Sequence, residues 1–262
     1  MLTKYVELGK TGEKVPAIGF GTWKLGNEGI DAIKRSIELG ANFIDTAEMY
    51  GNEAIVGKAI KGEDAFIATK VSPHHLHYDD VMRACNASMQ LLGVKQIDLY
   101  QIHWPNPAIP IKETMKAMEK LVDDGKIRYI GVSNFSLEEL KEAQSAMSKY
   151  DIVSNQVEYN IMVRGIENDL LPFCRKEKIT VIAYSPLARG AIFKEKKVYE
   201  LLNELAGKYG KSIAQISLNY LIADGGVVAI PKASSVKHVE ENVGAADFAL
   251  SKEDMMKIKH FL

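Results

Sequence analysis

Residues 41–53 read ANFIDTAEMYGNE, an apolar run that stops on a carboxylate and presents a phenol five positions later. A strand covered by helices on both faces looks like this where it leaves the sheet, because its interior is continuously apolar and its polar residues gather at the exit. On that reading Asp45 closes a strand and Tyr50 stands just beyond it. On the other reading Asp45 caps the next turn and Tyr50 packs on the helix that follows. The rest of the chain decides between them.

Outward from NFIDT (42–46), seven more runs have the same character: AIGFGT (17–22), AFIATK (65–70), IDLYQIH (97–103), IRYIGVS (127–133), IVSNQVEY (152–159), TVIAYS (180–185) and VVAIPK (227–232). The opening KYVELGKTGEKVPAIGFGT reads as a glycine-containing hairpin leading into the first of these strands. Helical spacing lies between the strands. Ile30, Ile33 and Ile37 keep one face, as do Val81, Cys85, Met89 and Leu92, and Ile111, Met115, Met118 and Val122. Ser136 followed by Glu139 has the spacing of a capping box. Strand then helix, eight times, predicts a single α/β domain over residues 1–262, a (β/α)8 TIM barrel with an N-terminal β-hairpin. The competitor, an open doubly wound sheet that binds a dinucleotide, would carry G-x-G-x-x-G after its first strand, and GFGTWKLG (19–26) does not follow that spacing into a helix.

Size and composition agree with one barrel. The chain has 262 residues, 47% of them hydrophobic, and barrels of this kind run to about 250 residues. No linker-like or low-complexity tract marks a boundary. The formal net charge is −1 and no basic block stands out, which argues against nucleic acid or an anionic membrane as a partner and in favour of small molecules. The N-terminal MLTKYVELGK lacks an apolar h-region, and no apolar run approaches the roughly 18 residues of a membrane span. A soluble, cytoplasmic monomer or small homo-oligomer is expected. Cys85 and Cys174 lie within helical patterns, outside C-x-x-C spacing, and read as buried structural thiols.

In such a barrel the active site forms at the carboxyl ends of the strands. Those ends carry Asp45, Lys70, His103, Ser133 with Asn134, Gln156, Glu158, Tyr184 with Ser185, and Lys232, and Tyr50 follows the second strand. A phenol with a pKa of about 10 is a reluctant acid unless a cation stabilises its anion. Lys70 can be that cation, and Asp45 on the adjacent strand can keep a partly buried ammonium charged. His103, as a neutral imidazole, could donate to the same carbonyl oxygen that Tyr50 protonates. No nucleophile motif or metal cluster completes the set, so a hydride from a nicotinamide is the natural partner for these groups.

The sequence resembles the aldo-keto reductase family over essentially its whole length. The resemblance rests on GFGTW (19–23), FIDTAEMYGNE (43–53), Lys70 in IATK, IDLYQIHWP (97–105), IGVSNF (130–135), NQVEYN (155–160), AYSPLARG (183–190), IPKASS (230–235) and EEN (240–242). It implies that Asp45, Tyr50, Lys70 and His103 form a catalytic tetrad, with Tyr50 the general acid in reduction and the general base in oxidation. It also implies that Ser133, Asn134 and Gln156 take the nicotinamide carboxamide and that Tyr184 stacks on the ring. Gly21, Thr22, Trp23 and Asp45 would lie beside the nicotinamide, Ser185 and Leu187 at the pyrophosphate, and Lys232, Ser234, His238, Glu241 and Asn242 at the adenosine end. A cation such as Lys232 suits a 2′-phosphate and favours NADPH. Members of the family that prefer this phosphate commonly carry Ser directly after that lysine and Arg six residues after it, where this chain has Ala233 and His238, so NADH use stays open beside NADPH.

The segment WPNPAIPIKET (104–114) is short and the chain stops at HFL soon after the last helix, from which an open substrate site is expected. Trp23 and Trp104, with Tyr50 and His103, are the candidate substrate contacts, although either tryptophan could instead be core. The tract PHHLHYDD (73–80) invites a metal reading, but its spacing does not suit one helical face and no metal is expected. FKEKKVYE (193–200) reads as a solvated helix start, with a loop closing over the cofactor as the alternative. The predicted activity is NADPH-dependent reduction of aldehydes or ketones. The competing classes are a non-catalytic cofactor-binding barrel with a regulatory or structural role and, more weakly, a metal-dependent barrel hydrolase.

Overall fold

The computed structural model describes residues 4–261. An antiparallel hairpin comes first, β1 (Tyr5–Glu7) with β2 (Lys14–Pro16). Then follow β3 (Phe20–Gly21), α1 (Ile30–Glu38), β4 (Phe43–Asp45), α2 (Glu53–Ile60), β5 (Phe66–Val71), α3 (Tyr78–Leu92), β6 (Ile97–Ile102) and α4 (Ile111–Asp123). The second half runs β7 (Ile127–Ser133), α5 (Leu137–Ala146), β8 (Ile152–Glu158), α6 (Leu170–Glu177), β9 (Thr180–Tyr184), α7 (Lys196–Tyr209), α8 (Ile213–Ile222), β10 (Val227–Ala229), α9 (Val236–Val243) and α10 (Lys252–Phe261).

Strands β3 to β10 pair in parallel, each with the next. The ring closes between β10 and the residues leading into β3, where Gly19 N–H donates to Ala229 O at 2.9 Å and Ala229 N–H donates to Ala17 O at 2.8 Å. This seam requires glycine at position 21, because a Cβ there would lie 2.7 Å from the Ile230 carbonyl oxygen. The barrel strands are mostly buried, β5 at all six positions and β6 to β9 at all but one or two positions each, as strands sandwiched between side chains of the barrel interior and an outer layer of helices are. The helices present the stripes their spacing predicted: Ile33 on α1, Val81, Cys85 and Leu92 on α3, and Met115 and Met118 on α4 are buried. The capping box of Ser136 and Glu139 opens α5.

The hairpin covers the amino-terminal end of the barrel. Gly9 N–H donates to Thr180 Oγ1 at 2.9 Å, and that hydroxyl donates on to Glu7 O at 3.0 Å, which fixes the hairpin to the start of β9. Arg128 on β7 joins Glu13 of the hairpin turn to Asp98 on β6. The opposite end stays open to the loops that precede the helices.

The architecture departs from eight simple repeats in two places. The crossover between β9 and β10 carries two helices, α7 and α8, and α10 follows the eighth barrel helix, α9. VVAIPK is strand only over Val227–Ala229; Ile230 N–H still donates to Ala183 O at 3.1 Å, but Pro231 lacks an N–H for the ladder, and Ile230 to Lys232 form part of the barrel mouth. Within FKEKKVYE, Phe193 ends a 3₁₀ turn and α7 begins at Lys196, with residues 194 to 197 exposed. Cys85 and Cys174 are buried and unpaired. Among the described residues no helix is long and apolar enough to cross a membrane.

Candidate active site

Asp45 is the last residue of β4 and is buried, so the stretch that opened the sequence reading ends a strand. Lys70 stands one residue before the end of the neighbouring β5, and its Nζ donates to Asp45 Oδ1 at 2.6 Å and to Thr46 O at 2.8 Å. Both side chains are fully enclosed. Burial works against the charge on Lys70, but Asp45 and then Tyr50 outweigh it and hold the ammonium above the usual lysine range. Lys70 therefore stays charged at neutral pH.

Tyr50 closes a 3₁₀ turn, Glu48–Tyr50, after which Gly51 takes a left-handed φ of 66° to start the approach to α2. The Lys70 Nζ lies 5.1 Å from the Tyr50 ring centroid, and the His103 ring meets the phenol edge-on with centroids 5.5 Å apart and planes at 77°. Burial raises the Tyr50 pKa, and the Lys70 charge offsets only part of that rise. The phenol is thus protonated at neutral pH, ready to give its proton, and the neighbouring cation stabilises the anion it would leave. His103 follows β6 directly. Burial, and behind it the Lys70 charge, pull its pKa down to about 3, so its imidazole is neutral, and its Nδ1 is buried without a hydrogen-bond partner.

Asp45, Tyr50 and His103 line a cavity of about 650 Å³ at the open end of the barrel, with Lys70 enclosed behind them, together with Gly21, Thr22 and Trp23 from the end of β3. Ser133, Asn134 and Gln156 meet on its wall. Ser133 Oγ and Asn134 N–H both donate to Gln156 O, at 2.9 and 2.8 Å. Asn134, in a left-handed conformation with φ 62°, donates from Nδ2 to His103 O at 3.0 Å and accepts from the Tyr184 hydroxyl at 2.9 Å. Tyr184 at the end of β9, Ser185, Leu187 and Lys232 line the same cavity. Ser234, His238, Glu241 and Asn242 do not. They lie past Lys232 near or on α9, where Ser235 caps the helix, His238 sits 3.3 Å from Glu241 and Asn242 is buried.

Trp23 and Trp104 are 44% and 45% exposed at the mouth, so neither is core. The histidine tract disperses: His75 bonds Glu48 at 2.6 Å, and His77 bonds Glu113 at 3.2 Å. Among the described residues no group of three or more His, Cys, Asp or Glu is placed to hold a metal.

The sequence reading missed several residues of the cavity. Lys24 and Arg189 place their cations 4.5 and 5.4 Å from the Trp23 ring centroid. Arg189 belongs to a loop in which Ser185, Ala188 and Arg189 all have positive φ, a concentration of backbone strain of the kind kept at binding sites. Nothing in the letters SPLARG announces those conformations. Met49 and Phe193 add apolar surface at the rim. Near Lys232, Glu28 accepts from Gly26 N–H at 3.0 Å; that bond chiefly, and the Lys232 charge to a smaller degree, hold its pKa below the usual carboxylate range.

Thr22 Oγ1 is a buried hydroxyl without a hydrogen-bond partner, and Thr22, Gln156 and the half-buried Tyr184 line the same cavity. A polar heteroaromatic amide such as nicotinamide fits that donor set, with a ring face to pack on and hydroxyl and amide groups to bond.

The aldo/keto reductase family model matches residues 17–262. Methylglyoxal reductase YeaE of Escherichia coli is 38% identical over 253 residues, 92% of this chain and 89% of the relative. Glyoxal reductase of Bacillus subtilis is 38% identical over 254 residues, 94% of this chain and 89% of the relative. Among solved structures, the thermostable aldo-keto reductase Tm1743 in complex with the inhibitor epalrestat superposes with a TM-score of 0.94 at 45% identity over 100% of both chains. An aldo-keto reductase from Klebsiella pneumoniae in complex with NADPH gives a TM-score of 0.92 at 38% identity over 99% of this chain and 95% of that one.

Proposed function

Because this chain belongs to the aldo/keto reductase family, we propose that it reduces small aldehydes and ketones, dicarbonyls among them, to alcohols with NADPH, Tyr50 being the proton donor. The observation that carries the reading is the buried Lys70–Asp45 pair set against Tyr50, with a neutral His103 beside it at the mouth of one cavity. A barrel that only bound a nucleotide would have no use for an enclosed ion pair behind a phenol.

In this mechanism NADPH, when bound, supplies the hydride. The substrate oxygen lies between the Tyr50 hydroxyl and the His103 imidazole, which donates a hydrogen bond and orients the carbonyl. As negative charge develops on that oxygen, Tyr50 passes its proton to it, and the Lys70 ammonium stabilises the phenolate left behind. Asp45 keeps Lys70 charged throughout. Tyr184 offers its ring face to the nicotinamide, and Thr22, Ser133, Asn134 and Gln156 are the groups available to its carboxamide. Lys232 takes the 2′-phosphate. The exposed Trp23, Trp104 and Met49 give the substrate an open, mostly apolar rim, which suits small compounds of the kind named for the relatives from E. coli and B. subtilis.

The test is to follow the nicotinamide absorbance band while the protein is offered NADPH or NADH with a panel of aldehydes, ketones and dicarbonyls. Carbonyl-dependent loss of the band is the expected result; tight NADPH binding with no turnover across the panel would refute it. Lys232→Ala is expected to weaken NADPH binding by about 10-fold or more while changing NADH binding little, since the lost group is a point charge for one phosphate. Equal losses for the two cofactors, measured by equilibrium titration, would place the 2′-phosphate elsewhere.

A further inference from the structure

The interior of a (β/α)8 barrel is ordinarily filled in layers by branched apolar side chains. Gln101 is an exception. Successive side chains on a strand point to opposite faces, so Leu99, Gln101 and His103 share the inward face of β6 and its continuation. Gln101 is fully buried there, beside Lys70 of β5 on one side and Gly131 of β7 on the other. The absence of a side chain at Gly131 makes the room: a Cβ at that position would lie 2.9 Å from Gln101 Cγ and 2.5 Å from Ser154 Oγ. A buried amide is tolerated only when it is hydrogen-bonded. Gln101 Nε2 donates to Asp45 Oδ2 at 3.3 Å, and its Oε1 accepts from Gln156 Nε2 at 3.4 Å.

The two oxygens of Asp45 are thereby divided. Oδ1 receives the Lys70 ammonium, while Oδ2 receives two amides, Gln156 at 2.8 Å and Gln101. We propose that Gln101 is a positioning residue for the proton transfer, acting through Asp45: it fixes Oδ2 so that Oδ1 stays on Lys70, and its amide dipole offsets part of the carboxylate charge felt at Tyr50. The inference rests on Tyr50 being the proton donor. Through Gln156 the same amide joins the ion pair to a side chain on the cofactor wall, so the proton donor and the nicotinamide site share one buried scaffold.

The titratable and charged groups that face Tyr50 are Asp45 from β4, Lys70 from β5, His103 after β6 and Tyr184 from β9; Lys24, Arg189 and Lys232 line the same cavity. Removing the Gln101 amide acts on this set in one direction. With its charge less offset, Asp45 opposes ionisation of Tyr50 more strongly. Tyr50 thereby becomes a weaker acid.

The experiment compares Gln101→Leu and Gln101→Met with the parent and with Tyr50→Phe, measuring kcat against pH at saturating NADPH, the NADPH dissociation constant and the melting temperature. The methionine variant follows the unbranched path of glutamine should leucine fail to pack. We expect kcat to fall by about 10-fold, its basic limb to move to higher pH, and NADPH affinity to stay within about 2-fold, because the basic limb reports the donor in the ternary complex. A folded variant with unchanged kcat and an unmoved limb overturns the proposal. So does a kcat loss that follows the melting temperature or NADPH affinity without moving the limb, and so does failure of both variants to fold, since Gln101 would then be a packing residue first. A Tyr50→Phe variant that still turned over would remove the reading of Tyr50 itself, whatever the Gln101 variants did.

Discussion

Tyr50→Phe is expected to lower kcat for carbonyl reduction by about 1,000-fold, within the range that loss of a general acid produces, while NADPH binds as tightly as before. The substitution removes one oxygen from a ring whose position is set by other contacts: the His103 edge and the Lys70 ammonium stay where they are. The pH profile of the parent is the companion measurement. Reduction uses the protonated phenol, so kcat should hold at neutral pH and decline only as pH rises through the Tyr50 pKa, which burial raises and Lys70 partly restrains. No acid limb from His103 is expected in the usual working range, because burial and Lys70 hold that imidazole down to about 3. Near-normal turnover by the phenylalanine variant would mean that the proton comes from elsewhere.

Asp45→Asn should be strongly destabilising although it keeps the side-chain shape. It leaves Lys70 enclosed with no counter-charge, and removing one partner of a buried pair costs about 3–5 kcal/mol if the other keeps its charge. Lys70 can escape part of that cost by giving up its proton. Asp45 is what raises the lysine above its usual range against the effect of burial, and a folded-state pKa raised in this way stabilises the protein below the unfolded pKa and ceases to do so as pH rises through the folded one. Without Asp45 the folded-state pKa falls. The deficit in melting temperature should therefore be largest at neutral pH and shrink as the solution becomes alkaline, where the unfolded chain also loses that proton. A neutral lysine no longer stabilises the phenolate, and kcat should drop by about 100-fold. A lowered melting temperature with intact turnover would make the pair structural only.

Part of this site could be read from the sequence because three of the four residues proposed for the chemistry interrupt an apolar run at its end, and Tyr50 follows the first of them by five positions. Asp45, Lys70 and His103 break FID, IAT and LYQI in the same manner, and parallel strands of one barrel must bring their ends to one mouth. The residues that escaped have no such mark. Gln101 is one polar letter inside a strand, and its meaning depends on Asp45 and Gln156, 56 and 55 positions away. The left-handed turns at Ala188 and Arg189 carry no glycine to signal them. The second helix before β10 was lost in counting one helix per strand, and the ends of the first and last strands were overdrawn because ring closure leaves them only a few rungs. Ser234, His238, Glu241 and Asn242 follow a different pattern: they lie just before or on α9, off the cavity wall, and their reading as adenosine contacts comes from the resemblance and not from a strand end.

Packed side chains fill the barrel below the cavity, and the hairpin is fastened across the far end beneath them, so the cavity is a blind well. Whatever goes in must come out by the same route, and two guests of unequal depth cannot leave in either order at will. If the nicotinamide binds against the wall near Gln156 as proposed and the carbonyl compound above it, the alcohol would depart first and the spent nucleotide last. The closed floor of the barrel would then impose a queue at its mouth.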